Sequence, residues 1–512
     1  MPQIGRSLWW SASLIFLSLA GCGEPLPDSP VSTKSALTGP RSYLVSFTGG
    51  DIPANADALV KAAGGQIAAR YPNIGAVLAR STSTSFAPTL RLSTGIAAVG
   101  AVTAASSKLT PMKPTGHRPT PKTPPHASGG DPLSFRQWDM EQIHAPQAHG
   151  ITAGSKSVLV GFVDSGVDIT HPDLVGQVNA AASASCVGGV PDTSPSTWAH
   201  DAIGHGTITS SIVAAKKNGV GMVGVAPGVQ VAMVKVLIDD FSDPNAGLIF
   251  PDAFVCGIEW GIAHGFALLN ASLSIDPFTG PVDDIFCSDD PDRAAVIQIV
   301  RQAIHVAAKH DLTVVAASNN NFTDLANLPG SGPGVRCSML PVQSPKVLGV
   351  SAVGYTRLLS FYSNYGAGAV DVTAPGGDSL IPDPLVTDTL ASGQVVGATP
   401  VDSGYYVAAA DYDGQLQDCS SGTCAYYAYV QGTSFATPHV TGVAALVISK
   451  VGKMKPDALA ARLRATATPL PCPPNPYDPD PADFPTPATC KGPPQHNNFY
   501  GAGEVDALAA LR

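Results

Sequence analysis

Gln431-Gly432-Thr433-Ser434-Phe435-Ala436-Thr437-Pro438-His439 sets one serine among small residues, just ahead of the apolar run Val443 to Ile448. Gly432, lacking a Cβ, lets another backbone come close. From Ser434 onward Ala436, Ala444 and Ala445 favour a helix, with Pro438 expected in its first turn. Ser434 then stands at a helix N-terminus, where unpaired N–H groups and the dipole favour developing negative charge. An acyl-transfer nucleophile belongs there, but it needs a base and an acid to orient that base.

Upstream, Ser157 to Val163 is a continuous apolar run ending at Asp164-Ser165-Gly166, as suits a strand buried on both faces of a parallel sheet. Asp164 then lies at the strand's carboxyl end, where open α/β sheets place ligands. Val229 to Leu237, Ala267 to Leu273, Leu312 to Ala317 and Val347 to Val353 repeat the theme, separated by helical patterns at Asp252 to His264 and Arg293 to Lys309. The alternation predicts an α/β fold with a doubly wound, mostly parallel sheet.

Asp164, then Gly204-His205-Gly206-Thr207, then Gly432-Thr433-Ser434 run in the order of subtilisin, not of chymotrypsin or the α/β-hydrolases. Asp164 to Asp168 with His171-Pro172-Asp173-Leu174 resembles the aspartate motif of the subtilases, Asp201 to Thr207 their histidine motif, and Gly432 to Pro438 their serine motif. Gly224 to Gly228, Asp371 to Gly376 and Tyr500 to Gly503 are further family-like stretches, so the resemblance runs from about Asp131 to the C-terminus. It implies a serine endopeptidase in which Ser434 attacks, His205 carries the proton and Asp164 orients the imidazole. Each residue alone has a plainer reading: a sheet-end cap, a buried helix histidine, a helix N-cap.

Val314 to Asn320 resembles the family's apolar strand ending in Gly-Asn. Its register makes Asn320 the expected catalytic oxyanion donor, with Asn319 as the alternative and as the occupant of the usual glycine position. Ile208 stands where the family usually has a second histidine, and is expected to pack. Ser272, Leu273 and Ser274 resemble the substrate-binding strand beside the specificity pocket, with broad or apolar preference expected. His171, Asp168, Asp201 and His439 are read as supporting residues. Residues 378–429 look like an insertion near the cleft.

The 512 residues carry a net charge of −10 and only 13% charged residues, so no basic face invites nucleic acid. Protein or peptide substrates are the expected partners. No cofactor is required and no metal ligands are assigned. Structural calcium, which subtilases often hold, stays open on the acidic loops Asp239-Asp240, Asp283-Asp284 and Asp289-Asp290, for which a solvated surface is the plainer reading.

Residues 1–22 read as a bacterial lipoprotein signal: Arg6, an apolar stretch Leu8 to Leu19, then Leu19-Ala20-Gly21-Cys22. Cys22 is the expected lipidation site, and an ordinary secretory signal cut near Ala20 is the plainer alternative. Export to a lipid-anchored position on a bacterial outer membrane or cell surface follows, with release after propeptide cleavage as the alternative. The other eight cysteines suggest disulfides, with Cys419–Cys424 and Cys472–Cys490 preferred.

Residues 23–40 form a tether, 41–107 a small α/β unit, 108–130 a Pro-rich linker and 131–512 the main domain. With the resemblance in hand, 41–107 looks like an inhibitor-type propeptide, and a permanent accessory domain is its alternative. Two other functions stay open: a pseudoprotease kept as a surface binding module, and a sedolisin-like acid peptidase, against which His205 argues.

Overall fold

A computed structural model describes residues 40–102, 131–239, 247–275, 286–381, 393–480 and 486–512. The signal with Cys22, the tether through residue 39, the linker 108–130, and Asp240, Asp283 and Asp284 lie outside them.

The N-terminal unit is an antiparallel sheet of β1 (Arg41–Phe47), β2 (Gly65–Tyr71), β3 (Ala76–Ser81) and β4 (Ile96–Ala101) in the order β2-β3-β1-β4. Helices α1 (Ala56–Ala62) and α2 (Phe86–Arg91) bury Val60, Phe86 and Leu90 against Tyr43, Val45 and Val77 of its strands.

The main domain opens with α3 (Trp138–Gln142) and α4 (Ala145–His149). Its sheet comprises β5 (Leu159–Asp164), β6 (Ala184–Ser185), β7 (Gln230–Lys235), β10 (Leu268–Ala271), β12 (Thr313–Ala317), β14 (Val347–Val353) and β15 (Val372–Pro375). Smaller elements between them are α5 (Pro195–Trp198), the pair β8 (Leu237–Asp239) and β9 (Gly247–Ile249), and the pair β11 (Phe286–Cys287) and β13 (Cys337–Ser338). The order is β15-β14-β12-β10-β5-β7-β6 and every pairing is parallel. The fold is therefore the doubly wound α/β sheet expected from the apolar runs. After β5 the chain moves to β6 and β7 on one side, then crosses to β10 on the other. The carboxyl ends of β5 and β10 are thus a topological switch point, where such sheets bind ligands.

One face carries α7 (Pro251–Ala263) and α8 (Pro291–Lys309); the other carries α6 (His205–Ala214) and α10 (Thr433–Val451). α11 (Pro456–Thr466) and α12 (Ala507–Ala510) close the C-terminal end. α10 is buried from Thr433 to Ile448, so Ser434 is carried into the middle of the domain by a helix with no solvent face over most of its length.

The N-terminal unit sits on α7 and α8. Glu259 of α7 accepts from the Asn73 N–H (3.1 Å), Asn73 Nδ2 (2.8 Å) and the Ile74 N–H (3.2 Å). Asp292 of α8 accepts from Arg91 and from the Ala101 N–H, and Gln302 Nε2 donates to the Ile74 carbonyl at 2.7 Å.

The insertion folds as β16 (Val395–Ala398), α9 (Gly404–Ala409), β17 (Gln415–Asp418) and β18 (Ala425–Val430), an antiparallel sheet in the order β16-β18-β17. The Cys419–Cys424 disulfide closes its hairpin, and Cys472–Cys490 is the other expected pair. Cys186–Cys256 and Cys287–Cys337 complete four bridges.

Candidate active site

Asp164 ends β5 with its carboxylate buried. Oδ1 accepts from the Ser165 N–H at 2.7 Å and from His205 Nδ1 at 2.8 Å, while Oδ2 accepts from Thr209 Oγ at 3.0 Å. A carboxylate only accepts, so Nδ1 carries a proton and the neutral ring presents its lone pair at Nε2. That Nε2 is buried without a hydrogen-bond partner.

His205 opens α6 because Asp201 holds the turn before it. Asp201 Oδ1 accepts from Ser165 Oγ (2.7 Å) and the Gly204 N–H (2.8 Å); Oδ2 accepts from the N–H and Oγ of Thr207 (2.8 and 2.6 Å). Complete burial pushes its pKa up, and these four donors oppose the shift. Gly204 has φ 93°, a left-handed value that a side chain resists.

Ser434 is the second residue of α10. The turn before it needs Gly432 for its φ of 152°, not for the close backbone approach expected, since a Cβ there would meet nothing nearer than 3.5 Å. Pro438 falls beyond the first turn, where its missing N–H frees the Ser434 carbonyl. Ser272 Oγ satisfies that carbonyl at 2.6 Å, and Ser434 Oγ in turn donates to the Ser272 carbonyl at 2.9 Å. Asp164 and His205 are thus joined, while the Ser434 hydroxyl is turned toward Ser272. The ring of Phe435, next in chain to Ser434, stands 5.3 Å from the His205 ring, so the two helix starts adjoin.

Asn320 Oδ1 accepts from the N–H and Oγ of Thr433, each at 2.9 Å. This pins the amide beside the nucleophile turn and leaves Nδ2 as a donor there. Asn319 takes the left-handed conformation (φ 77°) of the usual glycine. Its Oδ1 accepts from the Asn320 N–H at 2.8 Å, and its Nδ2 reaches Ser274 Oγ at 3.5 Å. Of the two asparagines, Asn320 faces the serine turn. Ser272, Leu273 and Ser274 follow β10 and are all buried.

The supporting residues have ordinary partners. His439 bridges the Phe435 carbonyl and Asp139 Oδ2 at 2.8 Å each, and His171 Nε2 lies 3.0 Å from the Tyr426 carbonyl, its pKa lowered by burial. Asp168 accepts from the N–H and Oγ of Thr170. Ile208 packs under Gly397 of β16. Asp290 caps α8, and Asp289 pairs with Arg293 at 3.5 Å. Among the described residues, no three His, Cys, Asp or Glu side chains gather to hold a metal.

Sequence reading missed Thr209 and Tyr405. Thr209 was findable, since it lies one turn after His205 on the same helix face. Tyr405, whose ring stands 5.7 Å from that of His205, carries no local signal.

A subtilase family profile matches residues 155–503. Fervidolysin of Fervidobacterium pennivorans is 28% identical over 342 residues, 66% of this chain and 41% of that protein. Subtilisin BL of Lederbergia lenta is 28% identical over 375 residues, 73% of this chain and 98% of that protein. The crystal structure of the epidermin leader peptide processing serine protease of Staphylococcus aureus superimposes with a TM-score of 0.64 at 20% identity, covering 92% of this chain and 98% of its own.

Proposed function

Because the chain belongs to the subtilase family, we propose that it is a serine endopeptidase acting through Asp164, His205, Ser434 and an acyl-enzyme, and that it matures by cutting itself. One observation carries the reading. His205 Nε2 is buried, partnerless and backed by the Asp164 carboxylate, beside a helix that begins at Thr433-Ser434.

For catalysis the Ser434 hydroxyl must leave the Ser272 carbonyl and turn to His205 Nε2. As Oγ attacks a peptide carbonyl, Nε2 takes its proton and Asp164 stabilises the imidazolium. The tetrahedral oxyanion finds Asn320 Nδ2 and the Ser434 N–H, which, as the second residue of α10, has no carbonyl one turn back. Nε2 then returns the proton to the leaving amine, and water repeats the cycle on the acyl-enzyme. Ser272 to Ser274 would pair with the acyl side of the substrate.

The N-terminal unit is assigned as a propeptide that inhibits until released. Its supports are the anchorage on Glu259 and Asp292, and its end at β4 just ahead of the stretch joining it to the main domain. A coverage of 92% by the epidermin-processing protease exceeds what residues 131–512 could reach alone. Export with Cys22 lipidated belongs to the same proposal, and four disulfides suit an oxidising compartment.

Wild type and Ser434→Ala test it together. Wild type should take a fluorophosphonate label on Ser434, hydrolyse casein and acquire a new N-terminus; the variant should do none of these. Identical processing of both without added protease refutes self-maturation. A wild type that neither labels nor hydrolyses refutes the peptidase and leaves a binding surface.

A further inference from the structure

We infer that the insertion builds the leaving-group subsite, and that Tyr405 restricts it to bonds followed by a small residue: Gly, Ala or Ser on the amine side of the cut. The inference rests on the peptidase reading above. In that chemistry the imidazole hands its proton to the departing amine, so the leaving group must lie on the His205 flank of Ser434. Ser272 to Ser274 occupy the other flank, bonded to Ser434 through Ser272.

On the His205 flank three rings close together. Tyr405 of α9 stands 5.7 Å from the His205 ring and 5.9 Å from Phe435, edge-on to it, and Phe435 is 5.3 Å from His205. Tyr405 is 4% exposed and His205 fully buried, so little width is left around the imidazole.

The wall is fastened to the histidine loop itself. The Gly404 and Tyr405 N–H groups donate to the Ala202 and Ile203 carbonyls at 2.9 and 3.0 Å. The Ala398 N–H donates to Ser211 Oγ at 2.9 Å, and Tyr427 Oη donates to Asp173 Oδ2 at 2.8 Å. With its backbone fixed there and its ring buried against His205 and Phe435, Tyr405 has less room to swing aside for a bulky substituent than a surface side chain would. The stretch that joins the N-terminal unit to the main domain offers suitable bonds in Ala104-Ala105-Ser106-Ser107 and Ala127-Ser128-Gly129-Gly130.

The test uses the purified full-length protein after maturation, titrated with a fluorophosphonate, on internally quenched peptides. These keep one acyl side and carry Gly, Ala, Ser, Leu or Phe after the scissile bond. Wild type should favour the small residues by about tenfold or more in kcat/KM. Tyr405→Ala should compress that ratio to about threefold or less by accelerating the Leu and Phe peptides. Tyr405→Phe, which keeps the ring, should retain the discrimination, and Tyr405→Leu gives a second reduced wall should the alanine variant not fold. Label uptake with equal cleavage of all five peptides, or a ratio unchanged in both reduced variants, overturns the wall. Failure to label or cleave anything refutes the peptidase reading, and this inference with it.

Discussion

Asn320→Ala tests the proposed oxyanion donor. The Asn320 amide divides its work: Oδ1 accepts two 2.9 Å bonds from Thr433, and Nδ2 is left to donate toward the nucleophile turn. Truncation removes the donor together with both bonds from Thr433, while leaving Asp164, His205 and their 2.8 Å bond in place. For the equivalent donor in subtilisin itself the loss is about 2.7–4 kcal/mol, or roughly 10²–10³ in kcat, and that value is carried over here. Because the bond strengthens only as negative charge develops, KM should stay within about threefold. Thr433→Val supplies the graded companion. It deletes the hydroxyl bond to Oδ1 and keeps the amide one, a loss of about 0.5–1.5 kcal/mol, or roughly 2- to 12-fold in kcat. Asn319→Gly should leave kcat within about threefold, since glycine adopts a φ of 77° freely. Progress curves on one chromogenic peptide, with active serine titrated in each variant, measure all three. A kcat for Asn320→Ala within about threefold of wild type, or a loss confined to KM, refutes the assignment.

Two further outcomes follow from the buried carboxylates. Glu259→Ala strands the Ile74 N–H and the Asn73 donors at the face between the N-terminal unit and α7, at about 1–3 kcal/mol. The unit should then leave the processed complex roughly 5- to 150-fold faster, measured by the recovery of peptidase activity after cleavage; an unchanged rate refutes that anchorage. Burial pushes the Asp173 and Asp378 carboxyls up to about 7, against the usual carboxylate range. A raised folded pKa means the folded chain holds more protons than the unfolded one between about pH 4 and 7. Stability from each group is therefore full at low pH and falls, by at most about 1.4 kcal/mol per pH unit, as pH rises to 7. Denaturant melts should show that slope lessened in Asp173→Asn; an unaltered slope refutes the protonated Asp173.

Local pattern carried the main sheet. Val347 to Val353 is β14 to the residue, and Asp252 to His264 is α7 shifted by one position. Such segments are buried on both faces or along one stripe, so their period is written in the chain. β2 was invisible because Gly65-Gln66-Ile67-Ala68-Ala69-Arg70-Tyr71 neither alternates nor favours strands, and only pairing with β3 makes it one. The three site motifs were legible as words, and Asn320 by register from the valines. The resting turn of Ser434 toward Ser272 was not, since it depends on Pro438 freeing a carbonyl and on β10 delivering a hydroxyl to it. Tyr405 depends likewise on an insertion folding back across about two hundred residues of chain, for which no periodicity exists.

Ser434 also enters the fold on its last long core helix, for α10 lies beside α6 and closes that face of the sheet. Asp164 and His205 are both made more than two hundred residues ahead of it. On the proposed mechanism the chain is chemically mute without Ser434, so reactivity should arise in the same step that seals the interior. Damage that opens the interior should extinguish hydrolysis before it frees a half-built blade.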